Sequence, residues 1–137
     1  MVAQWSQFDE VNVLASAANW AWPEAVRDIF KPRGVNLLMA EKTSDFVSII
    51  ASMRIHTAIV DVDSERPSGL ATVKVIRLGY PLLPCILLTS RTDGEILGRA
   101  LQLEAFAVVG KPVNMDILQQ LLNRLFVKKY NSNLFAR

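Results

Sequence analysis

Five short apolar runs, none long enough to be more than a strand, alternate with segments whose apolar residues recur at a helical period. That alternation leaves few folds open. The strand candidates are Val11 to Ala15, Val35 to Ala40, Thr57 to Val62, Cys85 to Thr89 and Phe106 to Val109. Between them, Pro23 to about Lys31 reads as a helix with Pro in its tolerated first turn and Trp22, Val26, Ile29 and Phe30 as its apolar stripe. Phe46, Ile49, Ile50 and Met53 recur at i, i+3, i+4 and i+7, with Thr43 or Ser44 as the N-cap. A third helix is expected from about Gly69 to Leu78. A fourth opens on Thr92-Asp93-Gly94-Glu95, which has capping-box spacing, and carries Ile96, Leu97, Ala100 and Leu101 on one side. The last starts near Asn114 and carries the stripe Ile117, Leu118, Leu121, Leu122, Leu125 and Phe126.

Continuously apolar strands linked by helices require a parallel sheet covered on both faces, because right-handed crossovers place helices on each side. The expected architecture is an α/β fold with a five-stranded, doubly wound parallel sheet flanked by five helices. At 137 residues the chain fits one domain. Its core runs from about residue 10 to 127, and 128–137 reads as a frayed tail or the start of a linker.

Composition narrows the function classes. Fifteen Lys and Arg against thirteen Asp and Glu give a formal +2, too little for the electrostatic footprint of a nucleic-acid binder. The basic residues Arg124, Lys128, Lys129 and Arg137 read as a solvated end. Cys85, the single cysteine, lies in an apolar run and is expected to be a buried, inert thiol. His56 has no neighbouring Cys or His with which to hold a metal. No Lys or Arg precedes Arg27, which argues against a secretory or transit peptide, and no apolar stretch could span a bilayer. A cytoplasmic protein without membrane or direct nucleic-acid partners is expected.

In doubly wound sheets the site lies beyond the carboxyl ends of the strands. The polar residues there are Ser16, Asp61, Asp63, Thr89, Ser90 and Lys111. Asp61 closes the third strand, Thr89 the fourth, and Lys111 follows the fifth with Pro112 directly behind it. A carboxylate, a hydroxyl and an ammonium would thus converge. A carboxylate is a plausible acyl-phosphate nucleophile, and the other two could stabilise phosphoryl oxygens.

With Gly69 and Leu70 opening the helix after Asp61, this set resembles the receiver domain of two-component response regulators over residues 10 to 127. The resemblance implies the strand order 2-1-3-4-5. It also implies a phosphoacceptor role for Asp61, phosphoryl binding by Thr89 and Lys111, and a usually cis Lys111-Pro112 turn. A histidine kinase or phosphotransfer protein would be the partner, and the module would signal within a phosphorelay rather than act as an enzyme.

The chain departs from that pattern in two places. Receivers hold Mg²⁺ with an acidic pair just after strand one, where this sequence reads Leu14-Ala15-Ser16-Ala17-Ala18-Asn19-Trp20. Magnesium needs hard oxygen ligands, so its binding is weakened. Asp63, two residues past Asp61, would share its face if the strand stayed extended, making Asp61 and Asp63 a possible metal pair; otherwise Asp63 and Glu65 simply solvate a loop. The family's aromatic residue in strand five is Val108 here, with Phe106 two residues earlier, so the usual aromatic relay is not expected. Trp20 and Trp22 either cap the core or roof the pocket as partner anchors.

Three readings follow. The first is a phosphorylated receiver. The second is a pseudo-receiver in which Asp61 and Lys111 remain only as an ion pair and the domain serves protein interaction or dimerisation. The third, a weaker one, is a small-molecule sensor. The broad stripe of the last helix predicts a homodimer or a docked partner on the face of the fourth helix, fifth strand and fifth helix, unless residues 127–137 fold back over it.

Overall fold

The structure, a computed structural model, describes residues 10–17, 20, 23–63, 69–91 and 93–137. Strands β1 (Val11–Ser16), β2 (Val35–Ala40), β3 (Thr57–Asp61), β4 (Cys85–Thr89) and β5 (Ala107–Gly110) alternate with helices α1 (Pro23–Phe30), α2 (Thr43–Ser52), α3 (Gly69–Gly79), α4 (Gly94–Gln102) and α5 (Met115–Tyr130). The sheet has the order β2-β1-β3-β4-β5, and every neighbouring pair is parallel. This is the doubly wound α/β topology expected from the alternation.

The middle strands β1, β3 and β4 are buried along their whole length, which is why they read as unbroken apolar runs. Alternate side chains feed two cores. Val13, Ala15, Ile59, Ile86, Leu88 and Val109 pack beneath α1 and α5, while Leu14, Ala58, Val60, Leu87 and Cys85 pack beneath α2, α3 and α4. Val26, Ile29 and Phe30 of α1 are buried as the stripe predicts. Trp22 lies outside the described residues.

Three local expectations are corrected. The N-cap of α2 is Lys42 rather than Thr43 or Ser44: its backbone N–H donates to Asp45, and the Thr43 hydroxyl is instead bonded to that of Thr72 on α3 at 2.6 Å. The cap of α4 is Asp93, whose carboxylate accepts the Ile96 N–H. Only Ile96 and Ala100, one turn apart, face the core there, while Leu97 and Leu101 are exposed, because neighbouring helix positions diverge by about 100°.

At the C-terminal end the chain folds back on α5. The helix α5 continues to Tyr130 and stops at Asn131, which adopts a left-handed conformation (φ 51°). The chain then turns back, and Phe135 is fully buried, its ring edge-on to Phe30 at 5.9 Å and tilted on Phe126 at 4.8 Å. The Gln119 side-chain amide donates to the Phe135 carbonyl, and Arg137 pairs with Asp116. Phe135 thus belongs to the core, with Leu134 packed against it, while Asn131, Asn133, Ala136 and Arg137 stay exposed. Leu118, Leu122, Leu125 and Phe126 are fully buried, so most of the broad stripe is spent inside the domain, and of its members Ile117 is the large side chain left exposed.

Candidate functional site

Three strand ends build the site. Asp61 is the last residue of β3, and its backbone N–H donates to the Ser16 hydroxyl at the end of β1 (2.9 Å). The ladder of β4 and β5 runs one step beyond the strands, with Lys111 N–H donating to the Thr89 carbonyl (2.9 Å), and this places the Lys111 side chain beside Asp61. The bond between Lys111 and Pro112 is cis. Lys111 Nζ donates to Asp61 Oδ1 at 3.0 Å and to Oδ2 at 2.9 Å. Asp61 is almost completely buried.

Asp63 enters by a route that alternation of strand side chains does not describe. β3 ends at Asp61, the chain turns, and the Asp63 N–H donates back to Asp61 Oδ1 at 2.9 Å. Its carboxylate then meets the far side of the pocket. Oδ1 accepts the Thr89 hydroxyl (2.7 Å), and Oδ2 accepts the Ser90 N–H (2.7 Å) and the Ser90 hydroxyl (2.9 Å). Lys111 Nζ lies 2.9 Å from the same Oδ2. Asp63 therefore does not simply solvate the loop. Glu65 lies outside the described residues.

The charges explain the geometry. Burial works against the Asp63 carboxylate, but the Lys111 ammonium, the Ser90 N–H and hydroxyl and the Thr89 hydroxyl outweigh it and hold the group well below the usual carboxylate range. Burial likewise opposes the charge on Lys111, yet its bonds to Asp61 and Asp63 prevail and raise its pKa above the ordinary lysine value. One ammonium serves two carboxylates, and neutral donors from β4 and the following loop make up the difference.

Among the described residues the donor set does not fit a divalent cation. At the end of β1 stand Ala15 and Ser16; the Ser16 hydroxyl is engaged by the Asp61 amide, and the Ser16 carbonyl accepts the indole N–H of Trp20 (2.9 Å). The two carboxylates offered by the sequence as a metal pair, Asp61 and Asp63, are bridged by an ammonium, which repels a second cation. Among the described residues no group of three His, Cys, Asp or Glu could hold a metal ion. Trp20 is buried and caps the core, and Val108 is half-buried against the face of α2, α3 and α4.

Residues 21–123 match the family model of the response regulator receiver domain. The chain belongs to the receiver domain family. An NtrX-like response regulator of Rickettsia bellii is 30% identical over 98 residues, which are 70% of this chain and 20% of that protein. A cyclic di-GMP phosphodiesterase of Thermotoga maritima is 30% identical over 116 residues, 81% of this chain and 31% of its own length. The receiver thus spans about a fifth to a third of the curated relatives it matches. The fold is also that of a CheY-like receiver domain from Methanospirillum hungatei, with a TM-score of 0.75 at 18% identity, covering 90% of this chain and 99% of that one. The chemotaxis protein CheY4 of Vibrio cholerae gives 0.72 at 22% identity, covering 85% and 98%.

The structure brings together Asp61, Asp63, Thr89 and Lys111, all named from sequence. Ser16 and Ser90 were visible there only as polar residues at strand ends. Their parts depend on which way a hydroxyl points and on a backbone N–H, neither of which a residue letter conveys. No helix among the described residues is long and apolar enough to cross a membrane.

Proposed function

We propose that this receiver domain of a two-component response regulator works without phosphorylation, as a protein-interaction module whose surface is read in one fixed state. The observation that supports this is Ser16: where the family places its acidic pair, this chain has Ala15 and Ser16, and the Ser16 hydroxyl is bonded to the Asp61 amide. Phosphoryl transfer to a carboxylate relies on divalent charge to neutralise the incoming group, and among the described residues the cation against Asp61 is the ammonium of Lys111. A histidine kinase or phosphotransfer protein is then a binding partner rather than a phosphoryl donor, and no nucleic-acid contact is proposed.

Incubation with Mg²⁺ and acetyl phosphate, followed by intact-mass measurement, tests the reading. An unchanged mass supports it, whereas a Mg²⁺-dependent acyl phosphate on Asp61 overturns it.

Docking is assigned to the helices packed on opposite faces of β5, where Leu97 and Leu101 of α4 and Ile117 of α5 are exposed. A partner or a second copy of the chain would cover them. Sedimentation at micromolar concentration, compared with Leu101→Glu and Ile117→Glu, checks this, and a strict monomer with no partner lost on either substitution rejects the surface. Leu118 and Leu122 are unsuitable probes because both are fully buried.

A further inference from the structure

The pocket contains an anion site that is already filled by the chain itself. Four donors converge on the Asp63 carboxylate: the Thr89 hydroxyl from β4, the N–H and hydroxyl of Ser90 from the loop that follows, and the Lys111 ammonium from beyond β5. Their distances, 2.7 to 2.9 Å, are those of charge-assisted bonds. A hydroxyl, an amide N–H and an ammonium are also the donors that a phosphoryl group on the adjacent Asp61 would need for its oxygens. Both anions cannot use them at once.

We infer that Asp63 is a resident substitute for the phosphoryl group: its carboxylate fills the oxyanion site of Thr89, Ser90 and Lys111 and so holds the β4–α4 loop in its ligated arrangement without phosphate. This rests on the phosphorylation-independent reading above and says how the fixed state is maintained. The tether is short, since the Asp63 N–H is bonded to Asp61 Oδ1, so the carboxylate is delivered from two residues beyond the phosphoacceptor position. The grip on the loop continues beyond the site. Thr89 Oγ1 also accepts the Arg91 N–H at 2.9 Å, and the Arg91 guanidinium pairs with Asp93, the cap of α4. A contact at Asp63 therefore reaches the start of a helix that carries exposed apolar residues. With the carboxylate removed, the Ser90 N–H loses its acceptor, the loop is released, and an anion supplied from solution can take the place.

Amide hydrogen exchange on the full chain, measured by NMR, tests the inference. In Asp63→Ala, exchange at Ser90 and Arg91 is expected to accelerate about tenfold or more while β1 and β3 stay protected, because the open state is then local. Added inorganic phosphate should restore protection saturably in Asp63→Ala and leave the native chain unchanged. Asp63→Asn keeps a carbonyl oxygen but not the charge, and should accelerate the same amides if Asp63→Ala does not fold. Unchanged exchange at Ser90 in a folded variant, or no saturable rescue by phosphate, overturns the assignment. Acyl-phosphate formation on the native chain would overturn the phosphorylation-independent reading alone, since the exchange and rescue experiment is run without Mg²⁺ or a phosphodonor.

Discussion

Gly69 stands so close to the end of β3 that a Cβ on it would lie 2.2 Å from the Asp61 carbonyl oxygen and 2.4 Å from Val62 Cα. The first turn of α3 rests on the backbone that presents the site, and only a hydrogen fits between them. Gly69→Ala must push two backbone segments apart. It is expected to cost about 1–3 kcal/mol, as overpacking does, and to disturb the Asp61–Lys111 pair. Urea denaturation measures the loss, and the NMR shifts of the Asp61 and Val62 amides report the displacement. Gly79→Ala is the control, since a Cβ there meets nothing within 4 Å.

Because Lys111 serves two carboxylates, its removal and that of Asp61 should not cost the same. Lys111→Met leaves the buried Asp61 with no cation, a situation that costs about 3–5 kcal/mol in buried pairs and somewhat less here, since a fifth of the Lys111 side chain is exposed. Asp61→Asn leaves Lys111 bonded to Asp63, and its cost should be less than half as large. Denaturation of both variants at neutral pH checks the order. Equal losses would show that the ammonium belongs to Asp61 alone.

The parallel sheet and the convergence of Asp61, Thr89 and Lys111 were legible in the sequence because each closes or follows an apolar run and parallel strands bring their carboxyl ends to one edge, whereas the strand order came from the resemblance to receiver domains. Asp63 was legible as a candidate but not in its role. Alternation of strand side chains applies only while the strand lasts, and β3 stops at Asp61. On α4, Ile96 and Leu97 are equally apolar, and only the packing against β5 decides which faces inward. Phe135 carried no local signal, because its burial depends on a reversal at Asn131 and on a groove between α1 and α5 that exists only in the folded chain.

His56 gives the domain a pH dependence of known sign. It is fully buried, accepts the Asn12 N–H on Nδ1 at 3.2 Å, and is packed between Phe126 and Tyr130. Burial first, and then the positive charge of Arg54, lower its pKa below 6.5. The unfolded chain therefore takes up a proton near pH 6.5 that the native chain refuses, and stability falls as pH drops below that value, by up to about 1.4 kcal/mol per pH unit until the native ring also titrates. His56 is the only histidine in the chain, so no other side chain with an ordinary pKa shares the window. Urea midpoints between about pH 7 and pH 5 should decline for the native chain and flatten for His56→Gln. A flat native profile would place the His56 pKa at its unfolded value.

Phe135 makes the end of the chain a structural element. Its ring fills the junction of Phe30 on α1 and Phe126 on α5, and Arg33 of the turn after α1 lies over its outer face at 5.7 Å. Phe135→Ala removes a fully buried ring and should cost about 3–5 kcal/mol, a large part of the stability of a domain this size. Phe135→Leu should recover much of that loss, because a smaller apolar side chain still excludes water from the junction. Asp63 is bonded to Asp61, Thr89, Ser90 and Lys111, whereas Phe135 packs on Phe30 and Phe126 and is bonded to Gln119, so Asp63→Asn in the same background should add its own cost independently. Thermal unfolding of the single and double variants measures both terms. Full stability in Phe135→Ala would mean that residues 131–137 contribute nothing to the core.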